Sequence, residues 1–199
     1  LAMLNPILIA VVLIIVLLSV CHIDYTVYNE GAKYLSYLLT PATVCLAVPL
    51  YEQLELLKQN YKAVLAGIVS GVLTSLTCVL AMAALLNLDH AAYVTLLPKS
   101  ITTAIGMGIS EEAGGLVTLT VVSIVLTGLL GNMAGEVVLK LAGIRHPVAK
   151  GLAIGTSSHA VGTAKALEMG EIEGAMSSLS IAVAGIMTVI VVPIVAGFI

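Results

Sequence analysis

Two short stretches hold most of the residues able to do chemistry: LPKSITTAIGMGISEEAGG at residues 97–115 and GLAIGTSSHAVGTAKALEMG at residues 151–170. Each sets hydroxyls just ahead of a helix-compatible run. In the first they are Ser100, Thr102 and Thr103 beside Lys99; in the second they are Thr156, Ser157 and Ser158 beside His159. The N-terminus of a half-helix carries free N–H groups and about half a positive charge, which attracts anions. Hydroxyl donors at the same place describe a pocket for a small carboxylate or oxyanion. Lys99 would add a full charge, since a Lys at membrane depth costs roughly 2.5 to 3.5 kcal/mol and needs a partner, a cavity or the interface. Its alternative is to snorkel to the outer surface. His159 offers a hydrogen bond to a substrate hydroxyl or a proton carrier, and equally a ring satisfied by a backbone carbonyl. Asn132 is a pocket residue or a contact between helices. Glu112 and Glu168 read as water-exposed helix ends, and Glu136 with Lys140 as an i, i+4 ion pair. Catalysis is not expected: TSSH has no third group placed beside it, and no GxSxG elbow is present.

The elements that must carry these residues are membrane helices. Of 199 residues 60% are hydrophobic and only 10% charged, against about 25% charged in a soluble domain. At roughly 20 residues per span the chain has room for about six spans and no separate catalytic domain. Residues 1–21, 64–86, 116–135 and 174–199 are long enough and apolar enough to cross, and residues 34–51 make a fifth span that Pro41 and Pro49 should kink or break. Gly67 with Gly71, and Gly131 with Gly135, let helices approach closely. Tyr25, Tyr28, Tyr34 and Tyr37 suit an interfacial belt. Cys21, Cys45 and Cys78 lie in apolar runs without metal-ligand spacing, so no disulfide, metal or other cofactor is expected. A net charge of −3 without a basic run gives nucleic acid no foothold.

The two polar stretches overlie each other at a shift of 56 residues, matching Ala104 to Ala160, Gly106 to Gly162, Glu112 to Glu168 and Gly114 to Gly170. The same shift carries the span at 64–86 onto the region of the span at 116–135. Repeat units of about 62–115 and 118–171 follow, within a single transmembrane domain over 1–199. Lys58 and Lys62, then Lys140, Arg145 and Lys150, place those loops in the cytoplasm by the positive-inside rule. On that count the first polar segment enters and leaves from outside and the second from inside. The expected fold is an all-α polytopic membrane protein with about five full spans and two re-entrant or broken-helix segments in an inverted repeat, around a midplane site.

The sequence resembles the LrgB/CidB family of bacterial membrane proteins. The resemblance rests on NPILIA, LLTPATVCLAVPLYEQL, LPKSITTAIGM, LTGLLGNMAG and GLAIGTSSHAVGTAKALE, in order over nearly the whole chain. One departure is Ala104, where the family pattern carries Pro after the two threonines, so the first half-helix is expected to start differently. Members also carry a further short N-terminal span, which implies a segment ahead of Leu1. The resemblance implies an antiporter- or anion-transporter-like fold in the bacterial cytoplasmic membrane, with a homodimer as the expected assembly. Two functions are implied. One is an antiholin-like modulator of murein hydrolase export and autolysis, acting with a small LrgA/CidA-type partner. The other is a carrier for glycolate, glycerate or pyruvate, as in the related plastid glycolate/glycerate translocator. The paired hydroxyl-rich segments favour the carrier, with autolysis control as a consequence. Its substrate contacts would be Lys99, Ser100, Thr102, Thr103, Asn132, Thr156, Ser157, Ser158 and His159.

Overall fold

The computed structural model describes residues 6–38, 41, 44–45 and 47–199, and every secondary-structure element among them is helical. The chain separates into two compact units, residues 1–48 and residues 49–199. In the first unit lies α1 (Pro6–Val20). It closes where His22 turns left-handed at φ 50°. Asp24 then caps α2 (Tyr25–Ser36) by accepting from the Thr26 amide at 2.8 Å. The tyrosines expected as a belt pair up, Tyr25 with Tyr28 and Tyr34 with Tyr37.

The second unit begins in α3 (Ala47–Glu52) and continues with α4 (Leu54–Leu86), α5 (His90–Leu96), α6 (Thr103–Glu112), α7 (Val117–Leu141), α8 (Pro147–Met169) and α9 (Glu171–Val195). Among the described residues three helices are long and apolar enough to cross a membrane: Lys58–Leu86, Val117–Leu141 and Glu171–Phe198. They match three of the five expected spans. Of the other two, residues 1–21 contribute the 15-residue α1, and residues 34–51 run from the last turn of α2 into the short α3, with residues 41, 44 and 45 helical on the way. Parts of both, residues 1–5, 39–40, 42–43 and 46, lie outside the described residues.

The core follows from a stripe on α4. Val64, Ile68, Val72, Leu76, Val79 and Ala83, three or four apart, are all buried, while Leu65, Leu73 and Met82 between them are exposed. Exposed Leu, Ile and Val side chains on α4, α7 and α9 are what a lipid-facing surface requires.

The two polar segments fold back on themselves. Between α5 and α6 the chain is non-helical around Pro98, Lys99 and Ser100, Gly106 of α6 packs back on Pro98, and both helices lie against α7. His90 Nε2 lies 3.3 Å from the Ala113 carbonyl oxygen, and the Leu116 amide donates to Thr95 Oγ1 at 2.8 Å. Deeper in, the Thr120 hydroxyl bridges the Thr95 carbonyl at 3.1 Å and the Ser110 hydroxyl at 2.6 Å, all three residues being buried. α8 is broken at Ser158 (φ −136°, ψ 15°) and His159 (φ 42°, ψ −143°). Its two halves meet the same partner: Gly155 packs on the Ser177 carbonyl, while Thr163 Oγ1 is 2.7 Å from Ser177 Oγ. Ile154 and Ala166, one on each half, cluster with Leu139.

The hairpins approach α9 from opposite ends. Glu173 near its start meets Lys150 and Gly151 of the second hairpin. At its other end the Val195 carbonyl accepts from the Tyr93 hydroxyl at 2.9 Å, and beyond it His90 Nδ1 lies 2.7 Å from the Ile199 carbonyl oxygen. The same 56-residue interval also separates elements. α7 shifted back by it covers residues 61–85 of α4, and the break at Ser158 and His159 lands on Thr102 and Thr103, where α6 begins.

Thr120→Val keeps the side-chain shape and removes the hydroxyl that holds α5 to α6. Thermal unfolding in detergent should show a loss of about 1–3 kcal/mol, the cost of leaving a buried polar partner unmet. Thr118→Val, one residue pair away on the exposed face, should show none.

Candidate functional site

The tips of the two hairpins come together beside α4 and α7. Down α4, Gly67 faces Leu152, Gly71 faces Thr156, and Ser75 Oγ lies 3.1 Å from Ser100 Oγ. Each of these helices carries glycines where a hairpin lies closest. An ideal Cβ on Gly71 would stand 2.8 Å from Thr156 Oγ1, and one on Gly131 would overlap the Ser158 side chain. The glycine pairs expected to allow close packing therefore both serve α8: Gly67 and Gly71 from one side, Gly131 and Gly135 from the other.

Lys99 stands between two cavities. One, of about 380 Å³, runs along α4 past Ser70, Thr74, Ser75 and Cys78 to Ser100 and Thr156. The other, of about 310 Å³, runs along α7 past Thr127, Gly131 and Gly135 to Ser158. Lys99, Ala153 and Ser157 line both, and among the described residues Lys99 is the one cation lining either. Its ammonium donates to Ser100 Oγ at 3.1 Å, and no carboxylate among the described residues lines either cavity. Both volumes fall at the small end of ligand-site sizes. A half-buried cation with hydroxyls on two sides and no counter-ion suits an anion with one carboxylate.

Five of the nine residues expected at the site therefore meet: Lys99, Ser100, Thr156, Ser157 and Ser158. The other four have different places. His159 is buried with Nε2 2.9 Å from the Ile124 carbonyl oxygen and its ring against Gly128. Since a carbonyl only accepts, Nε2 carries the proton, and the backbone-satisfying reading describes this ring. Asn132 Nδ2 donates to the Val161 carbonyl at 2.9 Å, which makes it a contact between helices. Those two bonds tie the break in α8 and the half-helix that follows it to α7. Thr102 and Thr103, half-buried at the start of α6, line neither cavity.

The cavities instead take hydroxyls from helices read as plain apolar spans. Ser70, Thr74 and Cys78 recur every four residues on α4, with Ser75 beside them, and Thr127 lies on α7. That four-residue spacing of small polar side chains was the available signal. At the open end of the second hairpin, Glu136 pairs with Lys140 at 2.7 Å as expected, and Lys165 joins it to Glu168 at 3.3 and 3.1 Å. Glu112 and Glu168 are exposed near helix ends.

Fold and site together define a helical membrane protein with two discontinuous hairpins whose tips converge. The chain belongs to the LrgB-like family, whose profile matches residues 1–198. It is 40% identical over 195 residues, 98% of this chain and 85% of the relative, to proteins named antiholin-like protein LrgB from Bacillus mycoides (strain KBAB4), Bacillus cereus (strain B4264) and Bacillus anthracis (strain CDC 684 / NRRL 3495). No solved structure matches it.

Gly131→Ala puts a methyl group into the Ser158 side chain at the hairpin tip. Thermal unfolding should show a loss of about 1–3 kcal/mol, typical of overpacking. Gly108→Ala, which meets nothing within 4 Å, should show no loss.

Proposed function

We propose that this chain acts in the bacterial cytoplasmic membrane as an antiholin-like protein bearing on autolysis, and that it does so by carrying a small carboxylate of the glycolate, glycerate or pyruvate type. The names of its relatives favour the first half. The position of Lys99 supports the second: one cation, shared by two hydroxyl-lined cavities, at the meeting point of two hairpins.

On this reading the hairpins form an inverted repeat, each entering from its own face of the membrane. The carboxylate sits on Lys99 with Ser100 on one side and Ser157 and Ser158 on the other. It is reached through one cavity and then the other as the hairpins shift against α4 and α7. A lesion-forming protein has no need of such a site. A change in cytoplasmic carboxylate would then link transport to the control of murein hydrolases, with a small LrgA/CidA-type protein as partner.

Uptake of labelled pyruvate, glycolate and glycerate into proteoliposomes tests this. Wild type should accumulate at least one of the three. Lys99→Met should cut the rate at least about tenfold, because a lost charged hydrogen bond costs about 1.5–3 kcal/mol and each 1.4 kcal/mol is tenfold. No uptake of any acid, together with unselective release of entrapped dye, would leave only the membrane-lesion form of the antiholin reading.

A further inference from the structure

A void of about 10 Å³ lies where the two hairpin tips, α4 and α9 converge, with Ser75, Ser100, Thr156 and Thr188 on its polar side and Val72 and Leu97 among its apolar walls. Its size is that of a single water site. The protons around it do not balance without a guest. Thr156 Oγ1 donates to the Leu152 carbonyl and Thr188 Oγ1 to the Ala184 carbonyl, each at 2.7 Å, so both threonines turn only lone pairs towards the void. Ser75 and Ser100 share one hydrogen bond of 3.1 Å, and Ser100 also accepts from Lys99 Nζ. Two serines have two hydroxyl protons, and their mutual bond uses one. Among the described residues neither hydroxyl has any other acceptor, so one proton is left over whichever serine donates. The void, which shares Ser75, Ser100 and Thr156 with the larger cavity along α4, thus has one donor and two acceptors on its walls.

We infer that it holds one water molecule, which accepts from the serine pair and donates to Thr156 and Thr188. Three hydrogen bonds is the usual number for a buried water. A metal cation fits poorly, because the surplus serine proton would point at it and the Lys99 ammonium stands one hydrogen bond away. Among the described residues no direct hydrogen bond joins residues 97–102 to residues 153–159. The water is therefore the polar bridge between the two tips. It continues a chain from Lys99 through Ser100 to Thr156, so that a change of partner at Lys99 is felt in the second hairpin. This inference stands independently of what the chain carries.

The test is a structure of the full chain that resolves ordered solvent, combined with thermal unfolding of Thr188→Val and Thr156→Val. Density for one water should appear within hydrogen-bond distance of both threonines and one serine. Each valine keeps the shape and removes one of the water's acceptors, so each should lower the melting temperature by roughly 2–4 °C, as for one lost hydrogen bond in a chain of this size. A dry void gives the opposite sign, because replacing Thr by its apolar isostere there leaves the melting temperature unchanged or raises it. That result, an empty void in the map, or density for a metal ion would overturn the inference.

Discussion

Everything in the second unit answers one constraint: at membrane depth no water is at hand for a broken helix, so each backbone group freed by a break must find a partner inside the protein. Two hairpins mean two breaks, and side chains beside each supply the partners. At the first, Thr95, Ser110 and Thr120 form a buried hydroxyl cluster that also takes the Leu116 amide. At the second, Asn132 takes the Val161 carbonyl, and the His159 ring returns to the Ile124 carbonyl of α7. Among the described residues, Thr95, Ser110, Thr120 and His159 are buried beside the breaks, and Ser100, Thr156 and Ser158 are buried against the cavities at Lys99.

The same constraint explains the glycines. Side chains can reach a neighbour's backbone only if the helices are close, and Gly71 and Gly131 bring α4 and α7 onto the second hairpin from two sides. A left-handed residue at the tip, His159 at φ 42°, is strained for a side chain with a Cβ. It is held there because its ring is fixed to α7 and Gly128 leaves room for it.

Much of this was legible in the sequence, because membrane helices advertise themselves by length and apolarity. Residues 64–86, 116–135 and 174–199 could be placed from their lack of charge, and the two broken segments stood out as too polar and too rich in glycine to face lipid. Of the site, Lys99 and the TSS run were readable because polar groups are scarce there. His159 and Asn132 were harder. A polar side chain facing a cavity and one facing a backbone carbonyl look alike until the neighbouring helix is in place. Ser70, Thr74 and Ser75 were missed for the converse reason, since a small hydroxyl within an apolar run passes as apolar, whether it bonds its own helix as Ser70 does or another segment as Ser75 does. Thr102 and Thr103 illustrate a third limit: they do stand at a half-helix start, but the cavities open one turn earlier.

In the proposed inverted repeat the two hairpins enter from opposite faces and meet at Lys99. Labelling of single cysteines by a membrane-impermeant maleimide, in a cysteine-free background in sealed vesicles of known orientation, addresses it directly. Cysteines at Asp89 and Gly114 should react only from outside, and those at Arg145 and Gly170 only from the cytoplasmic side. Reaction of all four from the same side would contradict the account.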